Sequence, residues 1–451
     1  QPRRFPARGF SMNDRPEAAG DRAGAPTSRA QPQRVALSNE WHARPQLGLP
    51  APLRCTHAVC LRDGGSVAAS RERFTAFCRA HGQSAPGADS RHHSVRIGAC
   101  LMKWEGHTEA DSYTLLVAGN GEPPFAATAL DFLDTQARER LLRRLFAGVH
   151  VEVLCGDGRA PDEHMQRLRN LLGSDEIHGG GIADGEGELW SSFRLDAGGF
   201  QRLIIVDRGM GDARLSRHLQ RALETEAYRM LAMLALPRAR AVMGQLNELE
   251  PQLDRLMSQL AGGSDEPAQE QQLRELTVLA ARIEHIVAAN AYRFAAARAY
   301  TGIVERRLNE LDEAKLGPAP RYGSFLLKSL LPAMRTCDAA ERRTHDLAQR
   351  ITRATQLLDS MVDVERKKQN QAILESMAER ANLQLRLQQS VEGFSIFAIS
   401  YYAVGLVAYL LKAAKSLGAA LNPELLTGLS APLILAGVWL SVRRVRKRLG
   451  H

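Results

Sequence analysis

GFSIFAISYYAVGLVAYLL, residues 393–411, and LLTGLSAPLILAGVWLSV, residues 425–442, are uncharged runs of 19 and 18 residues. At ~1.5 Å of rise per residue each covers ~27–29 Å as a helix, the thickness of a bilayer core. Only thirteen residues, Lys412 to Glu424, separate them. Arg443-Arg444-Val445-Arg446-Lys447-Arg448 follows, with five cations in six positions. Short basic flanks stay on the cytoplasmic side, so the pattern predicts a transmembrane hairpin over 393–442 and a basic cytoplasmic tail over 443–451. An even number of spans puts everything before Gly393 in the cytoplasm too. The first expected partner is therefore the lipid bilayer.

The 451 residues leave room for two or three domains beside the hairpin. With 44% hydrophobic and 24% charged residues the balance is globular. The net charge of +9 has a large share in the tail and in Arg3, Arg4 and Arg8 near the start. It reads as membrane-surface charge, and no aromatic-basic module points to nucleic acid. Six cysteines without a Cys-x-x-Cys pair read as free thiols. No apolar segment of signal-peptide type follows the N-terminus. Met12 is a plausible start, with residues 1–11 lying upstream of it.

Residues 1–36, rich in Pro, Gly, Ala, Arg and Ser, predict a disordered leader. Residues 37–210 predict an α+β or α/β cytoplasmic domain. Val95–Leu101, Tyr113–Val117 and Val149–Leu154 read as strands, Arg71–His81 and Asp162–Leu172 as helices, and Phe193–Leu195 with Phe200–Val206 as a closing hairpin. From residue 211 to 332 the pattern is helical: Leu215 to Leu236 ended by Pro237, a second helix to about Leu260, Ala268 to Leu316, and a short helix at Phe325–Leu330. Residues 333–392 predict a long stalk helix. Its Leu347, Ile351, Ala354, Leu358 and Met361 form a heptad seam that resumes with Ile373, Leu374, Met377 and Ala381. Such a stripe has to be buried against other helices, of the same chain or of another copy.

Two clusters carry candidate chemistry. Asn39, Glu40, His42 and Arg44 lie within seven residues, and Trp104, Glu105, His107 and Glu109 repeat the Glu/His combination. They fit a buried polar network that pins the N-terminal segment to the sheet. They also fit ligation of a divalent cation or acid–base work, although no HExxH or Cys/His zinc spacing is present. His178-Gly179-Gly180-Gly181 matches no nucleotide-binding fingerprint and reads as a surface loop. In the first span Ser395, Ala398, Tyr402, Gly405 and Tyr409 share one face at 3-4-3-4 spacing, which suits helix–helix packing or a pore lining. No cofactor motif is present, and no nucleophile–base constellation stands out, so an enzyme is not expected.

Several segments resemble a bacterial domain-of-unknown-function family of membrane-anchored proteins. They are Asn39–Pro45, Trp104–Glu109, Gln220–Met230, Met233–Arg240, Tyr292–Phe294, Pro332–Cys337 and, most specifically, Leu385–Ser395 running on to Tyr402. The resemblance covers about residues 37–448 and implies no activity. The chain departs from the family pattern at Leu358–Met361, Trp41 and Gly106. The order of parts is also similar to that of CorA-type magnesium channels, homopentamers whose first span lines the pore. Their Gly-Met-Asn signature is replaced here by Lys412-Ala413-Ala414-Lys415-Ser416-Leu417, and two lysines at a pore mouth repel divalent cations.

The expected protein is thus a CorA-like arrangement of sheet domain, long helices and two-span hairpin. It is expected in the bacterial inner membrane with both ends cytoplasmic, as a homo-oligomer. Two functions fit: ion transport or ion response, and a non-conducting scaffold that presents its cytoplasmic domain to protein partners.

Overall fold

A computed structural model describes residues 50–62, 64–262, 266–416 and 422–449. The expected leader falls outside them. The sheet strands are β1 (Leu53–Leu61), β2 (His92–Ile97), β3 (Cys100–Gly106), β4 (Ala110–Ala118), β5 (Leu145–Cys155), β6 (His178–Ile182), β7 (Gly187–Leu195) and β8 (Gln201–Asp207). They form one eight-stranded sheet in the order β2-β3-β4-β1-β5-β8-β7-β6. Only β5 and β8 run parallel; every other neighbouring pair is antiparallel.

Short helices cover one face of this sheet, and local sequence sets their ends. α1 (Val67–Ala80) starts at Ser66, whose hydroxyl accepts from the Ala69 amide at 3.2 Å. α2 (Thr135–Leu142) starts at Asp134, which accepts from the Ala137 amide at 2.9 Å. α3 (Pro161–Leu172) has Pro161 at its first position, two acids in its first turn and a left-handed Gly173 as its stop. Phe74 and Cys78 of α1 and Leu141 of α2 pack on Met102, Trp104, Tyr113 and Leu115. Leu168 and Leu172 of α3 pack on Leu154, Trp190, Ile204 and Val206.

The opposite face meets α4 (Asp212–Met233), through Ala227 and Leu231 on Val59, Ala110 and Ala147. α5 (Ala235–Ala261), α6 (Glu266–Leu311), α7 (Tyr322–Ser416) and α8 (Pro423–Leu449) complete the described helices. α4 and α5 are separated at Leu234, because the ring of Pro237 collides with a helical carbonyl four residues earlier. All six cysteines are free thiols, as their spacing suggested.

The structure departs from the sequence pattern in three places. Val95–Leu101 is two strands, not one: Gly98 takes a left-handed φ of 58°, and the chain reverses so that Ile97 faces Cys100. The Gly179–Gly181 run is no surface loop. It lies in buried β6, where Gly181 and Ala314 exchange backbone hydrogen bonds of 3.0 and 2.8 Å. A Cβ on Gly180 would stand 2.2 Å from the Ala314 carbonyl oxygen, so glycine is what lets the α6–α7 connection close on the sheet. Finally, the helix expected at Phe325–Leu330 and the stalk expected from Ala333 are a single helix, α7, with Pro332 inside it.

The chain divides into two compact units. One holds the described residues to Pro251 together with Ala281–Ala348; the other holds Gln252–Ala280 and the described residues from Gln349 onward. Within the first, Arg343 of α7 grips both oxygens of Glu250 of α5 at 2.7 and 2.6 Å. Leu347, Ile351, Ala354 and Leu358 are buried, so the first half of the heptad seam is covered within the chain. Met361, Ile373, Leu374 and Met377 are exposed.

Gly180→Ala should destabilise the fold by ~1–3 kcal/mol, since backbone must move to admit the methyl group. Gly244→Ala, on an exposed helical position with open space around it, should instead stabilise by up to ~1 kcal/mol. Thermal melts of the two variants test this account, and equal effects of the same sign contradict it.

Candidate functional site

The cluster Asn39, Glu40, His42 and Arg44 lies outside the described residues. Its sequence counterpart on β3 is divided by strand alternation, which sends neighbouring side chains to opposite faces. Trp104 is fully buried on the α1 side and stacks on Phe74 with ring centroids 5.5 Å apart. It belongs to the apolar core and not to a polar network with its neighbours.

Glu105 and His107 point to the other face, and there a polar patch does exist. Glu105 pairs with Lys103 at 3.0 Å. His107 Nε2 lies 3.0 Å from the Ser112 hydroxyl, and His57 Nδ1 lies 2.9 Å from the Thr114 hydroxyl. Burial pushes the His57 imidazole down to about 4; Glu105 opposes this, while His107 and Lys103 add to it. Burial pushes the Glu105 carboxyl up, but Lys103 first and then the two histidines outweigh it and hold the group below its usual range.

Glu109 does something else. It takes Arg293 of α6 in a two-pronged ion pair, at 2.6 and 3.0 Å, across 184 residues of sequence. It also stands beside the Tyr300 phenol, which burial and this carboxylate push up. Glu109 therefore clamps the β3–β4 turn to the helical region. Among the described residues no group of three or more His, Cys, Asp or Glu is placed to hold a metal ion. The divalent cation weighed from sequence thus has no ligand set among them.

In the first apolar run Tyr402 and Tyr409 are exposed, Ser395 turns its hydroxyl back to the Val391 carbonyl at 3.0 Å, and a Cβ on Gly405 would meet nothing within 4 Å. The residues that face α8 are others: Ile396 shares a crevice with Leu435, Ala436 and Trp439, and Ser400 is buried. Within the chain, the stripe of small and polar residues remains uncovered.

Four buried carboxylates were missed by motif reading, and one of them, Glu152 on β5, accepts from the Phe125 amide at 3.0 Å while burial pushes its carboxyl up to about 7. Glu188 is held by His164 at 2.8 Å, Trp190 Nε1 at 2.8 Å and Arg208 Nε at 2.6 Å. Glu226 is held by Gln201 at 3.1 Å, by Arg229 and by the Tyr322 hydroxyl. Both are saturated networks that fix elements together. Asp111 is different. It is fully buried, and the guanidinium groups of Arg62, Arg73 and Arg144 stand off at 3.6, 3.6 and 3.7 Å. Neither carboxylate oxygen has a hydrogen bond among the described residues. The sequence signal was present: an acid in phase with Tyr113, Leu115 and Val117, on the core side of an apolar strand.

A family model described as Protein of unknown function (DUF3422) matches residues 29–449, and the chain belongs to that family. No curated protein matches the chain.

The His57 environment sets a pH signature. In the fold this imidazole stays neutral down to about 4, whereas in the unfolded chain it takes a proton from about 6.5 downward. The contribution is complete above the higher value and is lost as pH falls through the window between the two. Between pH ~7 and ~4 the wild type should lose ~2–3 kcal/mol more stability than His57→Gln. Chemical denaturation of both proteins across this range measures the difference. Parallel pH profiles would show that His57 is not buried neutral.

Proposed function

We propose that this DUF3422 member is a membrane-anchored protein that holds its sheet domain at the cytoplasmic surface of the bacterial inner membrane and presents it to partners. One observation carries the reading. The described chain ends in two helices long and apolar enough to cross a bilayer. Their large side chains, Phe394, Phe397, Leu406, Leu429 and Leu433 among them, are exposed within the chain. Helices so apolar and so little covered by their own protein are in their lowest free energy in lipid. Arg443 lies over the Trp439 ring at 5.0 Å, an arrangement suited to the interface where a span leaves the hydrocarbon.

A second reading, an oligomeric CorA-like ion transporter, is supported by the order of parts: sheet domain, long helices, and a helix that runs on into the first apolar segment. The lysines of the connecting segment and the lack of a cation ligand set among the described residues weigh against it. The uncovered Ser395, Tyr402, Gly405 and Tyr409 stripe serves either reading as a contact between copies.

Reporter fusions placed before Gly393 and after Val442 should both report cytoplasm, and the protein should resist carbonate extraction. Leu406→Arg together with Leu433→Arg should release it, because each mid-span charge costs ~2.5–3.5 kcal/mol on insertion scales. A periplasmic signal from either fusion, or extraction of the wild type, overturns the anchor. Gly405→Leu should reduce the particle mass in detergent if the stripe joins copies. Divalent-cation flux in vesicles that Gly405→Leu blocks without changing that mass would favour the transporter.

A further inference from the structure

Beside Asp111 lies a cavity of about 400 Å³ between α1, α2 and the sheet. Its walls are apolar: Phe74, Met102, Tyr113, Leu133 and Leu141 are core residues that leave this space open. Its rim is basic, with Arg73 on α1 and Arg140, Arg143 and Arg144 at and just past the end of α2. The size suits a small-molecule site, and the lining has the pattern of one: mostly apolar, with a few convergent polar groups.

The charge here is out of balance. Three arginines face the single carboxylate of Asp111, none close enough for a hydrogen bond. The Arg62 side chain is 2% exposed, yet its three guanidinium nitrogens have no hydrogen-bond partner among the described residues. Among the described residues, Arg140 and Arg143 bond to Gln136 and Glu139 respectively, both at 3.3 Å and exposed. Such contacts exchange easily. Four guanidinium groups, those of Arg73, Arg140, Arg143 and Arg144, line the cavity beside low-dielectric walls and focus a positive potential at its mouth. Guanidinium groups match carboxylate and phosphate in shape as well as in charge.

We propose that this cavity binds a single-chain amphiphilic anion, with the hydrocarbon body against Phe74, Met102 and Leu141 and a carboxylate or phosphate head at Arg73, Arg140, Arg143 and Arg144. A small inorganic anion would leave the apolar walls empty, and a neutral hydrocarbon would leave the arginines without a counter-charge. The site does not rest on the anchoring proposed above. The ligand chemistry has two sources, a free fatty acid or a lysophospholipid of the bilayer.

The test uses the full chain in phosphatidylcholine nanodiscs, with empty nanodiscs as the blank, titrated with dansylated undecanoate. We expect saturable binding above the blank, displaced by dodecanoate or by lysophosphatidate but not by dodecanol. Displacement by dodecanoate alone identifies a free carboxylate, and displacement by lysophosphatidate alone identifies a phosphate head drawn from the membrane. Arg140→Gln with Arg143→Gln should weaken binding about tenfold or more. Ala137→Phe, which puts a ring into the cavity and leaves every arginine in place, should abolish binding. Circular dichroism checks that both variants keep the fold. The proposal is overturned if the wild type gives no signal above the blank, or if dodecanol competes as well as dodecanoate. Folded variants that both bind like the wild type overturn it as well.

Discussion

The Glu226 carboxylate fixes where the long helix starts. It receives the Tyr322 hydroxyl from the first residue of α7, Arg229 from its own helix, and Gln201 from β8. Two consecutive elements, β8 and α4, and the distant α7 meet at one buried anion. Removing a partner from such a group leaves a buried charge uncompensated, at a cost of ~3–5 kcal/mol. Glu313 adds to the constraint by accepting from the Gly323 amide at 2.9 Å, which satisfies a backbone donor that a helix start leaves unpaired. With Ala314 bridged to Gly181, the α6–α7 connection is tied to the edge of the sheet.

Glu109 makes the complementary tie at the other end of the sheet. Its pair with Arg293 holds α6 to the β3–β4 turn, while α4 fills the space between with Ala227 and Leu231. Together with the other ion pairs between helices, such as Arg307 with Glu224 and Arg343 with Glu250, these two acids give the helices a register against the sheet. The polar groups of His57, Glu105, His107, Ser112 and Thr114 sit between these ties, on the same face. Their satisfied pairings suit a structural patch better than a reactive one.

The opposite face has a different economy. A cavity opens under α2, and two of its lining residues, Arg73 and Arg144, are among the three arginines that stand off from buried Asp111. Native interiors pack densely, and buried polar groups are almost always hydrogen-bonded. A place where both rules lapse together is where a binding function is most economically looked for. The two last described helices are the other departure, since each is long and apolar enough to cross a membrane and little covered within the chain.

The sequence alone determined the classes of the parts. Uncharged runs at 393–411 and 425–442 marked two helices too apolar for water, and α3 could be placed from Pro161, its leading acids and Gly173, because caps and hydrophobic periods are local signals. The period of the stalk helix marked Leu347, Ile351, Ala354 and Leu358, which are buried, but also Met361, Ile373, Leu374 and Met377, which are exposed within the chain. Alternation along β3 was also in the letters, yet Trp104 was grouped with Glu105 by adjacency, and only pairing with β4 separates them. What the sequence left undecided depends on distant contact. β1 has no sharp local signal but lies at the centre of the sheet, between β4 and β5. The glycines of β6 look like a loop until Ala314 approaches them. Asp111 shows as an acid in an apolar strand, but arginines 49, 38 and 33 positions away decide that it is surrounded by positive charge. Electrostatics and close packing act through space, and the spacing of letters along the chain carries no measure of either.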